Sequence, residues 1–290
     1  MRRFEQGHPV PVAAHLLCTA LIAMFSRDPL LLGLALVGAL GCYWQQKMDH
    51  KLHGFAVLLF FGFTLLNPLW NQSGTTVLFI LNDRPITLEA LCYGAVSALM
   101  LLAVLYWFAV FSRWMTADRL LYLCRRLSPQ LALTVSMGIR QASLLTAQLQ
   151  RIREAQMVMG LQQEQNLIDR MRSGLRSFSA TLSWGLENGI VTADSMSARG
   201  YGIGKRSSFS IFVFHRKDAL HLLSVIALTA LVLLGISKGA LLDTYYPNIQ
   251  SPPWNGYSWL CYCAYGLLSC YPMLHNGKEA LQWRYLQSKI

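Results

Sequence analysis

Long apolar stretches separated by short polar segments occupy both ends of this 290-residue chain. A helix needs roughly 20 apolar residues, with a lower limit near 17, to cross the hydrocarbon core of a bilayer. Six stretches approach or reach that length, the second being the shortest: residues 9–25, 30–44, 53–70, 87–112, 219–241 and 257–274. The pattern predicts an all-α, polytopic membrane protein with about six transmembrane helices.

Residues 113–218, between the fourth and fifth apolar stretches, follow a different pattern. Apolar residues recur there at helical spacing among 15 basic and 7 acidic residues, which is typical of amphipathic helices. The pair Ser128-Pro129 predicts a helix start, with the serine as N-cap and the proline in the first turn. No later proline interrupts this pattern before residue 160.

A second amphipathic helix is predicted over 176–198. Its apolar residues are spaced four, four, four, three and three positions apart, and therefore share one face: Phe178, Leu182, Leu186, Ile190, Ala193 and Met196. Gly200 and Gly202 follow and suit the left-handed conformations that end helices. Arg199 therefore stands at a helix end, between Ala198 and Gly200.

Arg199 is the candidate binding residue of this region. Small neighbours let the backbone approach a partner closely, and the guanidinium offers five donors in a fixed geometry suited to a carboxylate or to carbonyls. The alternative is a solvated arginine that only complements the helix dipole. For the basic segment as a whole, the corresponding alternative is attachment to anionic lipid headgroups.

Charge adds a topology to this picture. The chain is 54% hydrophobic and 13% charged, about half the usual charged fraction. With a cytoplasmic N-terminus, 22 of the 25 lysines and arginines lie inside, and only Arg27, Arg84 and Lys238 lie outside. We therefore expect a multi-pass protein of the inner or plasma membrane, with both termini and residues 113–218 cytoplasmic. Three regions follow: a four-helix transmembrane region at 1–112, a cytoplasmic coupling-helix region at 113–218 and a two-helix transmembrane region at 219–290.

Several motifs that suggest chemistry are incomplete. The seven cysteines are odd in number and lie mostly in apolar stretches, which favours reduced thiols. Cys261-x-Cys263 and His50-x-x-His53 each lack the second pair of ligands that a structural metal site needs. "GIGKRSS" at 202–208 resembles the end of a phosphate-binding loop, but Arg199 occupies the position of the required first glycine. The sequence predicts no catalytic residue, metal site or cofactor in this chain.

Three stretches carry a family resemblance. "SMSARGYG", preceded by "GLENGIVTAD" and followed by "KRSSFSIF", resembles the transmembrane T component of energy-coupling factor (ECF) transporters. "LNPLWNQSGTTVLFILNDRPITLEALCYG" at 66–94 is similar to the third span and outer loop of that family, and "DRLLYLCRRLSPQLALTVSMGIR" at 118–140 to the start of its cytoplasmic helices. The resemblance is clearest over about 60–215 and implies a non-catalytic scaffold for uptake of a vitamin or transition metal.

The resemblance also implies docking residues. In this family two short Ala-Arg-Gly-type motifs at coupling-helix ends contact two ABC ATPase subunits, while the membrane helices hold a substrate-binding S component. Ala198, Arg199 and Gly200 match the second motif fully. The first falls near 156–160, where Gly160 is kept and the arginine is missing. Two alternatives stay open for that end: an apolar contact through Met157 and Met159, or a contact through Arg153.

Two other classes of protein compete with this interpretation. "EAQMVMG" at 154–160 resembles the coupling loop of conventional ABC importer permeases, but the Ile-x-Leu-Pro ending expected some ten residues later is absent. A stand-alone membrane enzyme needs a nucleophile and a base at one membrane depth, and His15 and His221 are single histidines in or beside apolar stretches. The expected partners are therefore two ATPase subunits, an S component and the lipid bilayer, without nucleic acid.

Overall fold

A computed structural model describes residue 4 and residues 7–46, 51–71, 74–81, 84–161, 166–204, 212–241, 243–247, 249–250 and 255–287. This part of the chain is nearly all helical. Its helices are α1 (Pro9–Phe25), α2 (Pro29–Gln45), α3 (Lys51–Trp70), α4 (Leu88–Trp114), α5 (Ala117–Leu127), α6 (Pro129–Val158), α7 (Leu167–Ala198), α8 (Arg216–Ser237) and α9 (Gly256–Gln287). A short hairpin joins β1 (Val77–Leu81) to β2 (Arg84–Thr87).

Three of the described helices, α3, α4 and α8, are long and apolar enough to cross a membrane. Helices α1 and α2 are apolar but have 17 residues each. Helix α9 has 32 residues, but four tyrosines lower the hydropathy of its first half. The prediction of an essentially all-α chain with helices suited to a membrane is confirmed, and the number of six spans stays a prediction.

Local side chains explain several helix starts. Asp28 precedes α2, and its Oδ1 accepts the backbone N–H groups of Leu30 at 2.9 Å and Leu31 at 3.3 Å, which satisfies donors that the helix cannot pair itself. Pro129 is the first residue of α6, as predicted. Ser128 is the N-cap residue, as predicted, but its side chain makes no hydrogen bond to the backbone N–H groups of the helix.

A short hairpin interrupts the otherwise helical chain before α4. Strands β1 and β2 pair antiparallel, with a bulge between Val77 and Phe79, in a segment that the resemblance assigned to an outer loop. Glu89, in the first turn of α4, accepts hydrogen bonds from the Thr75 hydroxyl at 3.1 Å and the Thr76 backbone N–H at 3.2 Å. This carboxylate therefore ties the chain before the hairpin to the start of α4.

The chain forms two compact units, Met1–Arg119 with Phe212–Ile290, and Leu120–Ile211. The first unit, here called the helical body, combines residues from both predicted transmembrane regions. The Trp107 indole is fully buried and donates to the Ala35 carbonyl at 3.1 Å, so α4 is anchored on α2. A core cluster of the body consists of residues such as Leu31, Leu32, Val225, Val232, Tyr265 and Leu268.

Helices α2 and α9 approach closely inside the body. A Cβ at Gly38 would lie 2.5 Å from the Ser269 carbonyl oxygen, so only glycine fits there without a shift of the backbone. The Ser269 hydroxyl in turn donates to the Leu34 carbonyl at 3.2 Å, and the Tyr265 hydroxyl donates to the Thr19 carbonyl at 3.0 Å. Helix α9 is therefore fixed to both α2 and α1 by contacts between residues far apart in sequence.

Candidate functional site

The second compact unit contains α6 and α7, here called the helix pair. Within it, the Ser177 hydroxyl donates to Gln156 Oε1 at 2.7 Å, and the Asn188 amide donates to Gln141 Oε1 at 3.4 Å. Residue numbers rise along one helix as they fall along the other, so α6 and α7 pack antiparallel. Between these polar contacts, Gly185 faces the Leu145 side chain, which leaves room for a close approach of the two helices.

Helix α7 begins nine residues earlier than predicted, at Leu167 instead of residue 176. The added turns extend the predicted apolar stripe, because Leu167, Met171 and Leu175 continue its spacing of four residues. This extended set, here called the α7 stripe, is largely exposed: Leu167, Met171, Leu175, Phe178, Leu182, Leu186 and Ile190. The same spacing in the sequence could have revealed the additional turns.

Arg199 occupies the C-cap position of α7. The Arg199 backbone N–H donates to the Ser195 carbonyl at 3.2 Å, and the Tyr201 N–H reaches back to the Met196 carbonyl at 3.1 Å. This hydrogen-bond pattern is a Schellman motif, and it requires Gly200 to adopt a left-handed φ of +79°. The backbone thus places Ala198 and Arg199 on an exposed helix end, as predicted.

Helix α6 ends in the same way. Met159 is its C-cap residue, Gly160 has a φ of +71°, and the Leu161 N–H donates to the Gln156 carbonyl at 3.0 Å. Position by position, Met159 corresponds to Arg199 and Gly160 to Gly200. The two candidate docking ends therefore share one backbone geometry and differ in the side chain at the cap.

The surroundings of Met159 are apolar and exposed. Val158 is 89% exposed, and Met157 and Met159 are 62% and 63% exposed. Arg153 is also exposed but lies six residues earlier, roughly 9 Å along the axis and on a different face of α6. The structure thus brings Met159 and Gly160 together at the helix end and leaves Arg153 apart from them.

The cap geometry alone does not define a site. Helix α8 in the body also ends in a Schellman motif, with Lys238 as its C-cap residue and Gly239 at a φ of +73°. The helix pair differs because it presents two such ends in one unit. About 20 residues of α7 separate Ser177 from Ala198, so the ends of α6 and α7 lie roughly 30 Å apart at 1.5 Å per residue.

The incomplete motifs fall in separate environments. Cys261 is buried and Cys263 exposed, and the His53 ring is hydrogen-bonded to the Tyr106 hydroxyl at 2.8 Å. His50 and residues 205–208 of the loop-like sequence lie outside the described residues. Within the described part of the chain, no three His, Cys, Asp or Glu side chains gather where they could hold a metal ion. The predicted lack of a metal site and of a nucleotide site stays a prediction.

Asn67 and Pro68 have a structural role. The Asn67 side chain donates to the Ala90 carbonyl of α4 at 2.7 Å, and a Cβ at Gly94 would lie 2.9 Å from the Asn67 Cβ. Pro68 lies inside α3, two residues before its end. Asn67 therefore joins α3 closely to α4.

No protein-family model and no curated protein sequence matches the chain.

Proposed function

We propose that this chain is the transmembrane scaffold, or T component, of an ECF-type importer for a vitamin or transition metal. The observation that carries the proposal is the helix pair, whose two exposed ends share one cap geometry and face away from each other. In this proposal each end docks on one ABC ATPase subunit, and the helical body spans the cell membrane and holds a substrate-binding S component. The chain itself then needs no catalytic residue.

Arg199 carries one contact in this proposal. Its exposed guanidinium projects from a helix end, where Ala198 and Gly200 add little bulk that would keep a partner groove away. Arginine can donate two parallel hydrogen bonds to a carboxylate, and it is enriched among the residues that dominate binding energies. We therefore expect an acidic or carbonyl-rich groove on the ATPase that receives α7.

Met159 carries the other contact. Of the two alternatives for this end, the structure favours the apolar one, because Met159 occupies the cap position and Arg153 does not. Exposed Met157 and Val158 extend the apolar surface at the same helix end. A flexible methionine adapts to irregular grooves. The two grooves are then chemically different, one matched to a guanidinium and one to thioether and aliphatic groups.

Rigid helices give the proposal its mechanics. Helices α6 and α7 have 30 and 32 residues, which correspond to about 45 Å and 48 Å. When ATP binding closes the two ATPase subunits, the spacing of their grooves changes and the two helix ends move with them. The S component is reoriented only if it contacts the scaffold differently in the two states.

The test is a charge reversal at Arg199 with a matched control on the same helix. In the complete complex, Arg199→Glu should weaken binding of one ATPase about 30-fold, the effect of losing an interface residue worth about 2 kcal/mol. ATP-driven uptake should fall with it. Arg176→Glu makes the same charge change on an exposed residue of α7 far from its end, and should keep both.

The outcomes separate docking from simple charge effects. Equal losses in Arg176→Glu and Arg199→Glu would indicate that the helix pair only rests on anionic headgroups, and normal uptake in Arg199→Glu would refute the proposal. Co-purification of a small, very apolar S subunit distinguishes this complex from a conventional importer. For the second end, Met159→Glu should release the other ATPase while Arg153→Glu retains it, and the reverse result would assign the contact to Arg153.

A further inference from the structure

Helix α5 is divided into an apolar face and a polar face. At about 100° per residue, its leucines and its cysteine fall on one side of the helix: Leu120, Leu121, Leu123 and Cys124. Its charged residues and its tyrosine fall on the other: Asp118, Arg119, Tyr122 and Arg125. This separation is sharper than in any other described helix of the chain, α7 included.

The apolar face of α5 is not buried by the described part of the chain. Leu120 is 41% exposed, and Leu121, Leu123 and Cys124 are each partly exposed. Helix α5 has 11 residues. Isolated helices shorter than roughly 12–15 residues are marginal in water, so α5 gains stability from any further apolar surface that covers this face.

The place of α5 in the chain indicates which surface that is. Helix α4, just before it, is long and apolar enough to cross a membrane. Its 27 residues extend about 40 Å, more than the hydrocarbon core of about 30 Å, so its last turn with the exposed Arg113 reaches the headgroup layer. Only Met115 and Thr116 separate the two helices. Helix α5 therefore begins within about 11 Å of the end of α4, at the level of the headgroups.

The turn between α4 and α5 is held by packing and hydrogen bonds. Trp114 and Met115 are buried, and the Phe4 ring lies 5.3 Å from the Trp114 ring. The Arg119 guanidinium donates to the Trp114 carbonyl at 3.2 Å, and the Arg119 backbone N–H donates to the Thr116 carbonyl at 3.0 Å. The first turn of α5 is thus fixed beside the end of α4.

The charge of this segment indicates the class of lipid. Residues 113–127 contain four arginines and one acidic residue, Asp118, a net charge of +3. Clusters of arginine beside a membrane-spanning helix are attracted to anionic headgroups. An arginine can also keep its guanidinium at the phosphates while its aliphatic stem lies along apolar surface. An apolar face combined with an excess of arginine is typical of helices that lie in the membrane surface.

We infer that α5 lies in the surface of the bilayer, with its leucines among the acyl chains and its arginines at the phosphates of anionic phospholipids. The inference rests on α4 crossing the membrane. It does not depend on ATPase subunits, an S component or the docking ends of the helix pair, so the two proposals fail separately.

The experiment is hydrogen exchange of the full-length chain in nanodiscs. One set contains phosphatidylcholine alone, and the other contains equimolar phosphatidylcholine and phosphatidylglycerol. Exchange of the amides over residues 120–127 reports how often α5 opens. We expect exchange about tenfold slower or more in the anionic bilayer, since each arginine near such a surface contributes about fivefold. High salt should remove most of this difference, because it screens the headgroup charges.

Two pairs of variants test the two faces. Leu120→Gln replaces an apolar side chain by one of similar helix propensity, so exchange in α5 should become about fivefold faster in both bilayers. Its control is Leu186→Gln, at an exposed leucine of α7, which should leave α5 unchanged. Arg125→Gln should reduce the difference between the bilayers about fivefold. Arg176→Gln makes the same charge change on α7 and should keep that difference.

Four results would overturn the inference. Equal exchange of α5 in both bilayers would show that it does not recognise anionic lipid, and this comparison uses the unaltered chain, so it holds even if a variant does not fold. Equal exchange in Leu120→Gln and Leu186→Gln would show that the apolar face is not in the bilayer. Equal effects of Arg125→Gln and Arg176→Gln would indicate a general effect of charge. Slow exchange that requires added partner subunits would assign the face to a protein.

Discussion

The helical body and the helix pair bury different kinds of residue. In the body, Trp107, Tyr265 and Leu31 are fully buried and pack across several helices. In α6 and α7 the described buried residues are small or polar: Ala132, Gln156, Ser173, Ser177 and Thr181. The large apolar residues of α7 are instead exposed, as the α7 stripe.

This contrast suggests two ways of using apolar surface. The body gains its stability from its own core, because burying apolar area contributes about 25 cal/mol per Å². The helix pair leaves such area exposed, as surfaces that later bind partners often do. We therefore expect mutations in the body to affect stability and mutations in the helix pair to affect association.

The largest expected effect is the loss of a core aromatic. Trp107→Ala removes a fully buried ring and leaves a cavity, so the free energy of unfolding should fall by about 3–5 kcal/mol. Phe178→Ala removes a ring of the α7 stripe that is 55% exposed. It should lower the free energy of unfolding by less than about 1 kcal/mol. Denaturant unfolding in detergent, followed by near-UV circular dichroism, compares them. Similar losses in both variants would refute the contrast.

Two glycines offer a finer comparison. In Gly38→Ala the new methyl group would meet the Ser269 backbone, so repacking should cost about 1–3 kcal/mol. In Gly185→Ala it would meet the end of the Leu145 side chain, which can move, and alanine is the better helix former by up to about 1 kcal/mol. Thermal unfolding should therefore show a lower midpoint for the first variant and little change for the second. A lower unfolding midpoint for Gly185→Ala, with no change for Gly38→Ala, would contradict the expected order.

The polar contact of the helix pair has a smaller expected effect. Ser177→Ala removes the hydrogen bond to Gln156 and leaves the buried Gln156 oxygen unpaired, at a cost of about 1–2 kcal/mol. Hydrogen exchange should become faster in α6 and α7 and stay unchanged in the body. Ser179→Ala, an exposed neighbour on α7, is the control and should leave exchange unchanged. Faster exchange throughout the chain would show that the pair is not a separate unit.

The smallest effect concerns a tyrosine in the loop between α8 and α9. Burial, and then the neighbouring Asp243, raise the pKa of Tyr245 above its ordinary value, and its hydroxyl donates to the Arg27 carbonyl at 2.9 Å. The unfolded state loses the Tyr245 hydroxyl proton at about pH 10, and the folded state therefore retains that proton to higher pH. Stability from this group is present below that pH and is lost as the pH rises toward the folded pKa.

Tyr245→Phe should test this dependence on pH. The variant should cost about 1 kcal/mol near neutral pH, because it loses one hydrogen bond. It should also lose less stability than the parent protein when the pH is raised from about 8 to about 11. The midpoints of denaturant unfolding of both proteins at the two pH values measure this difference in stability. A parallel decline in both proteins would show that Tyr245 does not titrate differently on folding.

The sequence by itself determined where most helices lie. The apolar stretch 9–25 became α1, and 87–112 became α4 with a shift of one or two residues. It also located the end of α7, because Gly200 closes hydrogen bonds between residues at most five positions apart. It predicted the start of α7 nine residues too late, although Leu167, Met171 and Leu175 already continue the apolar spacing there. Helix positions and helix ends depend on local helix propensity and capping, which are determined by residues close together in the sequence.

The tertiary structure alone decided which distant residues meet. The antiparallel packing of α6 and α7 separates Met159 from Arg199, and the body brings Phe4 and His15 together with His221 and His275. No periodicity in the sequence encodes these encounters, because each depends on how several helices pack at once. Apolar spacing indicates that a helix has an apolar face, and only the packed structure decides whether that face is buried or stays exposed.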